Sequence, residues 1–291
     1  MSFDTDVFIV GGGPASLAAA IAARQRGLDV IVADSSEPPI DKACGEGLMP
    51  DTLAALRELG IEVNDCEGYA FRGILFLGQG VEVEANFPDG QGIGVRRLAL
   101  HRKLVEQARA VGVSFLWKTP ITGLCPDGIL IRGRVIAARW IVGADGIRSQ
   151  VRRWAGLETQ TVGYAFRRHF CVKTGADCME LYWGRSAQAH VTPVGNKQVC
   201  VVLMSRDESV RFATIATHFP QLAKHLDQAG SAIAERGAIT LTHRYERLYT
   251  GRITVGFPMW HMDWPERLAF PELPGANTSR PMCFLAEPWD M

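Results

Sequence analysis

The stretch from Val7 to Asp34, VFIVGGGPASLAAAIAARQRGLDVIVAD, limits what the rest of the chain can become more than any other. Val7-Phe8-Ile9-Val10 is an apolar run suited to a strand buried on both faces. Gly11-Gly12-Gly13 follows, then Pro14, whose fixed φ and missing N–H suit a first helical position. Ala15 to Arg26 reads as a helix of small residues that Gly27 stops, and Val30 to Ala33 as a second strand ending at Asp34. Strand, glycine turn, helix, strand and acid in this order make a dinucleotide-binding unit. Gly11 and Gly13 allow a tight turn and a close approach of pyrophosphate to the main chain. Pro14, Ala15 and Ser16 open a helix whose first N–H groups and partial positive charge suit a phosphate. Asp34, with Ser35 beside it, stands where an acid accepts hydrogen bonds from a ribose. Ser16 holds the position where the G-x-G-x-x-G fingerprint has Gly or Ala, and is small enough for helix–strand contact. The plainer alternative is a glycine-rich turn in some other α/β protein, and the stretch does not separate FAD from NAD(P).

Composition narrows the classes further. A chain of 291 residues accommodates one or two domains. Its formal net charge of zero argues against nucleic acid, or an anionic membrane, as a partner held by bulk charge. The first strand begins almost at once, which leaves no room for a signal peptide, and no apolar run reaches transmembrane length. Seven cysteines without a CxxC pair read as reduced thiols, so the expectation is a cytoplasmic protein. Peripheral membrane contact stays open for a protein with a greasy substrate.

The loop SSEPPIDKACGEGLMP after Asp34 is long for an α/β connection, which points to function. Asp51 to Leu59 reads as a short helix capped by Asp51. From Gly68 to Phe87 the period changes to two, with a hairpin at Gly78-Gln79-Gly80. Leu98 to Val111 is helical by spacing, Val113 to Leu116 a strand, and residues 121–136 a small meander. Trp140 to Val142 runs as a buried strand into Asp145-Gly146 and a helix ending at Trp154. From Tyr164 onward β-rich runs follow one another as a meander. Helices are expected over Asp207–Phe219 and Gln221–Ala229, and a last strand over Ile239–Glu246.

Four stretches together resemble a known family: GGGPAS at 11–16, DKACGEGLMP at 41–50, RRLALHRKL at 96–104 and VGADGIRSQVRR at 142–153. The chain resembles FAD-dependent monooxygenases of the aromatic-hydroxylase type and the neighbouring geranylgeranyl-reductase-like oxidoreductases, over about residues 5 to 255. That resemblance implies an α/β fold, with a Rossmann-like three-layer FAD domain and an inserted antiparallel meander-sheet substrate domain. The FAD domain would take residues 1–70, 95–160 and 250–256, the substrate domain 71–94 and 161–249, leaving 257–291 as an atypical tail.

By the same resemblance Arg97 contacts the FAD pyrophosphate, where its fork of donors suits phosphate oxygens; a solvated arginine at a helix start is the alternative. Asp145 and Gly146 match an Asp-Gly motif associated with FAD and NAD(P)H, with Ser149 and Arg152 on the helix that follows. Asp145 would equally cap that helix with no flavin present. Cys44-Gly45-Glu46-Gly47 resembles the loop facing the isoalloxazine ring, where Gly45 and Gly47 let main chain lie against the flavin. Cys44 is then a candidate active-site thiol or an inert buried cysteine, and Glu46 a proton donor or a solvated loop charge. His169, His190 and Tyr182 lie on the meander that would floor the substrate pocket. No His, Cys or Asp set has metal-ligand spacing, so no metal is expected. There is no G-x-S-x-G elbow, and the Trp-x-Trp-x-Ile-Pro signature of flavin-dependent halogenases is missing.

The chain departs from the family where an aspartate should follow Gly256. Phe257 stands there, and the residues after it are crowded with Pro, Trp and Met. A shifted reading frame is one explanation, and resequencing the DNA across codons 255–258 tests it. The resemblance implies that NAD(P)H reduces FAD and that O2 then forms a flavin C4a-hydroperoxide that hydroxylates a small organic, hydrophobic substrate. The runner-up is flavin-dependent reduction of prenyl C=C bonds, which the Cys-Gly-Glu-Gly loop favours. A third reading is an inactive flavin-fold protein.

Overall fold

The computed structural model describes residues 3–64, 66–78, 80–156, 160–172, 177–227, 229, 235–242, 249–250 and 253–255. The chain opens with β1 (Thr5–Val10), α1 (Pro14–Arg24) and β2 (Val30–Ala33), in the order the glycine stretch predicts. Then come β3 (Gly47–Leu48), α2 (Pro50–Glu58), β4 (Tyr69–Phe71), β5 (Gly73–Gly78), β6 (Val81–Asn86) and β7 (Gly92–Gly94). Next are α3 (Arg97–Ala110), β8 (Ser114–Leu116), β9 (Gly123–Cys125), β10 (Gly128–Ile131), β11 (Arg134–Gly143) and α4 (Gln150–Trp154). The remainder is β12 (Gln160–Phe170), β13 (Met179–Trp183), β14 (Ala187–Gly195), β15 (Gln198–Ser205), a 3-10 turn at Phe212–Thr214, α5 (Ile215–His218), α6 (Pro220–Leu226), β16 (Arg236–Thr242), β17 (Tyr249–Thr250) and β18 (Ile253–Val255).

The first sheet runs β17-β18-β11-β1-β2-β8, and β1 is parallel to both β2 and β11. Its central strand is apolar on both faces, as a strand covered on two sides must be. Ile9 faces Leu17 and Ile21 of α1 and Leu104, Val105 and Ala108 of α3. Phe8 and Val10 face Ile129 and Ile131 of β10, on a small antiparallel flap. Helices, parallel sheet and flap form three layers.

The second sheet runs β16-β12-β15-β14-β13-β5-β6. All its pairings are antiparallel except β13 with β5, because the β5–β6 hairpin comes from an earlier part of the chain. Its two faces differ. Val199, Val201 and Leu203 pack under Phe212, Ile215, Phe219 and Leu222 of the following helical segments. A third sheet, β3-β7-β4, stands by β14, where Gly94 comes so close that an added Cβ would sit 1.8 Å from the Pro193 carbonyl oxygen. The outer strand β6 is exposed along its whole length. Arg72 holds its Glu84 and Asn86.

Several boundaries differ from the sequence reading. Met49 is the N-cap of α2 and Pro50 its first residue, so Asp51 sits in the first turn, where its charge still suits the helix dipole. The helix expected from Asp207 starts only at Phe212, because the Asp207 carboxylate accepts the Ser209 N–H at 2.8 Å in a local turn that competes with helix. The helix expected over Gln221–Ala229 runs Pro220–Leu226. The strand expected over Ile239–Glu246 runs Arg236–Thr242, and residues 243–246 of the expected run lie outside the described residues. So do Gln79 of the hairpin and the tail from Gly256, including Phe257. Among the described residues no helix is long and apolar enough to cross a membrane.

Candidate functional site

Two of the three glycines in the first turn answer to a close neighbour, each a different one. Gly11 has φ +112°, and a Cβ there would lie 2.2 Å from the Ala144 carbonyl oxygen, because the end of β11 passes directly beside it. Ser16 is more than a small residue, since its Oγ donates to that same carbonyl at 2.9 Å and ties α1 to the loop after β11. Gly12 donates its N–H to Asp34 Oδ2 at 2.7 Å, and a Cβ on it would strike the Trp117 ring at 2.5 Å. Its carbonyl accepts from His101 Nε2 at 2.8 Å. Burial lowers the pKa of His101 and so favours the neutral ring, which donates through Nε2–H. Gly13 is the exception: a Cβ there meets nothing within 4 Å among the described residues.

The space over Gly13 adjoins the first turn of α1, whose N-terminus has no side-chain cap and no acidic residue in its first turn among the described residues. Pro14 and Ala15 are half-buried beside it. A diphosphate fits such a cradle, because main-chain donors and open volume coincide there. Asp34 also accepts the Ser36 N–H at 2.7 Å, so each carboxylate oxygen holds one main-chain donor, while Ser35 is exposed. Asp145 does cap α4: it accepts from Ser149 Oγ and from the Gln150 and Val151 N–H groups at 2.6 and 3.3 Å. Ser149 in turn accepts the Arg152 N–H at 3.0 Å. Gly146 turns at φ +80°, and a Cβ on it would lie 3.0 Å from Lys42 Nζ. The first glycine turn, the Asp-Gly turn and the 41–47 loop are thus neighbours. Lys42, His101 and Trp117 complete this corner; Lys42 and His101 lie inside the stretches at 41–50 and 96–104 without having been assigned a role there, and Trp117 lies outside every motif.

The second half of the site is built on Glu46. This residue has φ +60°, and its side chain is wholly buried. Its Oε1 accepts the Arg97 main-chain N–H at 3.0 Å and Arg167 Nη1 at 3.0 Å. Its Oε2 lies 2.6 Å from His169 Nε2 and 3.6 Å from Arg96 Nε. Burial alone would raise the carboxyl's pKa, but the His169 hydrogen bond and charge, the Arg97 N–H and the Arg167 charge outweigh it and hold it below the ordinary range. Cys44 and Gly45 are buried beside it, and Gly47 pairs with Gly94. The Cys44 Sγ accepts the Glu46 N–H at 3.5 Å, and the Cys44 carbonyl accepts from Cys200 Sγ at 3.4 Å.

Strand pairing explains which side chains meet the loop. His169 pairs with Cys200 and Cys200 with Thr192; Arg167 pairs with Val202 and Val202 with His190. These residues therefore share the sheet face turned to the loop. Tyr182 does not, contrary to the sequence reading: it lies on the opposite face, against Phe219, and its hydroxyl donates to Glu180 at 2.8 Å. His169 Nδ1, His190 Nε2 and Thr192 Oγ1 are buried without hydrogen-bond partners among the described residues. Glu46, His169 and Cys200 also bring ligand-type atoms within 4.8 Å of one another, a grouping that spacing along the chain could not show. Guanidinium groups already supply the positive charge at Glu46, and burial pushes the Cys200 thiol well up, against thiolate ligation.

Burial alone pushes His190 down to about 4. The unfolded ring takes up its proton near 6.5, so stability should fall as pH drops from about 6.5 to about 4, then level off for this residue. The full effect is about 3 kcal/mol. Urea unfolding at stepped pH should show this slope in the parent and a flatter one in His190→Gln; identical slopes would exclude His190 as its source.

A family model described as FAD binding domain matches residues 4–232 of the chain. Menaquinone reductase of Mycobacterium tuberculosis is 34% identical over 169 residues, which cover 54% of this chain and 41% of the relative. Digeranylgeranylglycerophospholipid reductase of Methanosarcina mazei is 30% identical over 169 residues, covering 53% of this chain and 40% of the relative. The match thus spans about two-fifths of the curated relatives' length. Among solved structures, a geranylgeranyl bacteriochlorophyll reductase-like protein from Thermoplasma acidophilum superposes with a TM-score of 0.72 at 20% identity, covering 86% of this chain and 70% of that one. The flavin-dependent halogenase CmlS gives 0.76 at 20% identity, covering 88% and 53%. At such identities the two structures speak for the fold.

Proposed function

The chain belongs to the FAD binding domain family of oxidoreductases, and from that premise we propose that it reduces a carbon–carbon double bond in an apolar, isoprenoid-type substrate, with NAD(P)H as the electron source. The observation that carries the proposal is the open volume over Gly13 at the uncapped start of α1, which fits the FAD diphosphate. The choice of reduction over hydroxylation rests on the relatives of 30% identity and above, which are named as reductases.

In this reading the N–H groups at Gly13 and Ala15 bind the diphosphate, Arg97 adds a fork of donors, and Asp34 accepts from the ribose. Asp145 fixes the Asp-Gly turn so that Gly146 main chain lies against the cofactor. Gly45 and Gly47 would let the loop lie flat on the ring system, while the Cys44 thiol, packed among Phe71 and Met179, serves the loop's position. Bound FAD supplies the acceptance and return of a hydride. A hydride and one proton add across the double bond, and NAD(P)H is oxidised to NAD(P)+. Glu46, held ionised, contributes charge and loop position more than a proton.

The test is anaerobic. NAD(P)H should bleach the visible flavin band of the FAD-loaded protein, and a geranylgeranyl lipid without a quinone ring should restore it without O2, with its double bonds saturated in the recovered product. Restoration only in air, with O2 consumed in proportion to substrate, would replace reduction by hydroxylation. A protein that stays colourless after incubation with FAD would exclude both.

A further inference from the structure

The Glu46 carboxylate closes an N-terminus that its own helix leaves open. Arg96, the N-cap of α3, makes no side-chain capping bond among the described residues, and the first N–H of that helix, at Arg97, goes to Glu46 Oε1 at 3.0 Å. A carboxylate there satisfies an orphan donor and suits the helix dipole. Glu46 is itself held from the far sheet, by Arg167 Nη1 at 3.0 Å and His169 Nε2 at 2.6 Å. Arg167 also spans the loop. Its Nη2 lies 3.0 Å from both oxygens of Asp41, and the Arg236 Nε on the neighbouring strand is 3.1 Å from the same carboxylate. Arg167 and Arg236 are register partners on β12 and β16. Arg96 makes a second crossing, with Nη1 at 3.1 Å from Gln198 Oε1 on β15.

We propose that Arg167 and His169 are positioning residues for the cofactor: acting through Glu46, they set the first turn of α3 and with it the reach of Arg97 to the FAD diphosphate. This rests on the FAD reading above. The left-handed backbone of Glu46 is uncommon for a residue with a side chain and persists only where its surroundings fix it, and these two side chains do so. Neither residue needs to touch the cofactor. The second sheet and the cofactor corner then communicate through one buried carboxylate, so a change on the sheet face reaches the diphosphate grip.

The experiment measures FAD affinity by flavin fluorescence, and the visible circular dichroism of bound FAD, in the full chain. Arg167→Met and His169→Leu should each weaken FAD at least tenfold and change the dichroism. His169→Gln, which keeps a donor near the Nε2 position, should recover most of the affinity. Arg168→Met is the control: Arg168 lies on the opposite face, paired with Glu235 at 2.9 Å, and its loss should change neither readout. Should Arg167→Met fail to fold, Asp41→Asn weakens the outer half of the clasp alone and should give a smaller shift in the same direction. Folded His169→Leu and Asp41→Asn proteins with parental affinity and dichroism would overturn the inference and leave the FAD reading standing. A parent chain that binds no FAD would remove the reading itself.

Discussion

Gly13→Val should leave the protein folded and reduce its affinity for FAD by at least a hundredfold, whereas Gly11→Ala should damage the fold itself. The two positions are two residues apart, yet their surroundings are opposite. A side chain on Gly13 enters open volume among the described residues, so nothing in the protein has to move; in the proposed reading that volume is the diphosphate's. A methyl on Gly11 would lie 2.2 Å from the Ala144 carbonyl oxygen, on a backbone at φ +112° that side chains rarely adopt. Strain and overpacking together cost about 3–5 kcal/mol. Urea unfolding followed by tryptophan fluorescence measures the stability lost in Gly11→Ala, and FAD titration the affinity lost in Gly13→Val. Full retention of FAD by a folded Gly13→Val protein would place the diphosphate elsewhere.

Glu46→Ala should be among the most damaging single changes, at about 3–5 kcal/mol, because it strands buried positive charge. Arg167 would keep Asp41 but lose its inner partner, and the first N–H of α3 would lose its acceptor. Glu46→Gln keeps the volume and one acceptor oxygen, so it should cost less. The two variants also differ from the parent in pH dependence. The folded-state pKa of Glu46 is lowered, so its stabilisation is complete above the ordinary carboxylate value of 4.5 and is lost as pH falls through the lowered value. The parent should therefore lose stability on this acidic limb, and Glu46→Gln should not show that share of the loss. Unfolding curves between pH 7 and pH 3 decide the matter, and superimposable acid limbs for parent and Glu46→Gln would sink the assignment.

The sequence showed the glycine-turn corner more clearly than the clasp, for a reason of range. Gly11 to Asp34 is one local unit, and strand, turn, helix and acid all leave their mark within it. Even so, the reason for Gly11 lies at Ala144, just past the end of a strand that pairs with β1 from much later in the chain. Trp117 lay outside every motif, and His101 lay inside the 96–104 stretch without a role, because spacing does not tell that a residue props a carbonyl or leans on a glycine. Glu46 was visible as a loop acid, but its partners Arg167 and His169 lie 121 and 123 residues further on. Only the pairing of β12 with β15 reveals that they share a face with Cys200. Period-two reading found the β strands but could not assign Tyr182 to the helix-covered face, since the pattern gives alternation without saying which side is which. The missed start of the helix after Asp207 has the same character: a two-residue hydrogen bond outweighed a favourable helical spacing.

The outer strand β6 carries one more consequence. Its valines, Val81 and Val83, alternate with Glu82 and Glu84, and the whole strand is open to water. A second molecule laid antiparallel along this margin would find main-chain groups ready to join, but also a row of like charges crowding its own. Self-templated growth of the sheet is thereby discouraged. The exposed Val81 and Val83 invite such pairing, and Glu82 and the Arg72-bound Glu84 beside them oppose it.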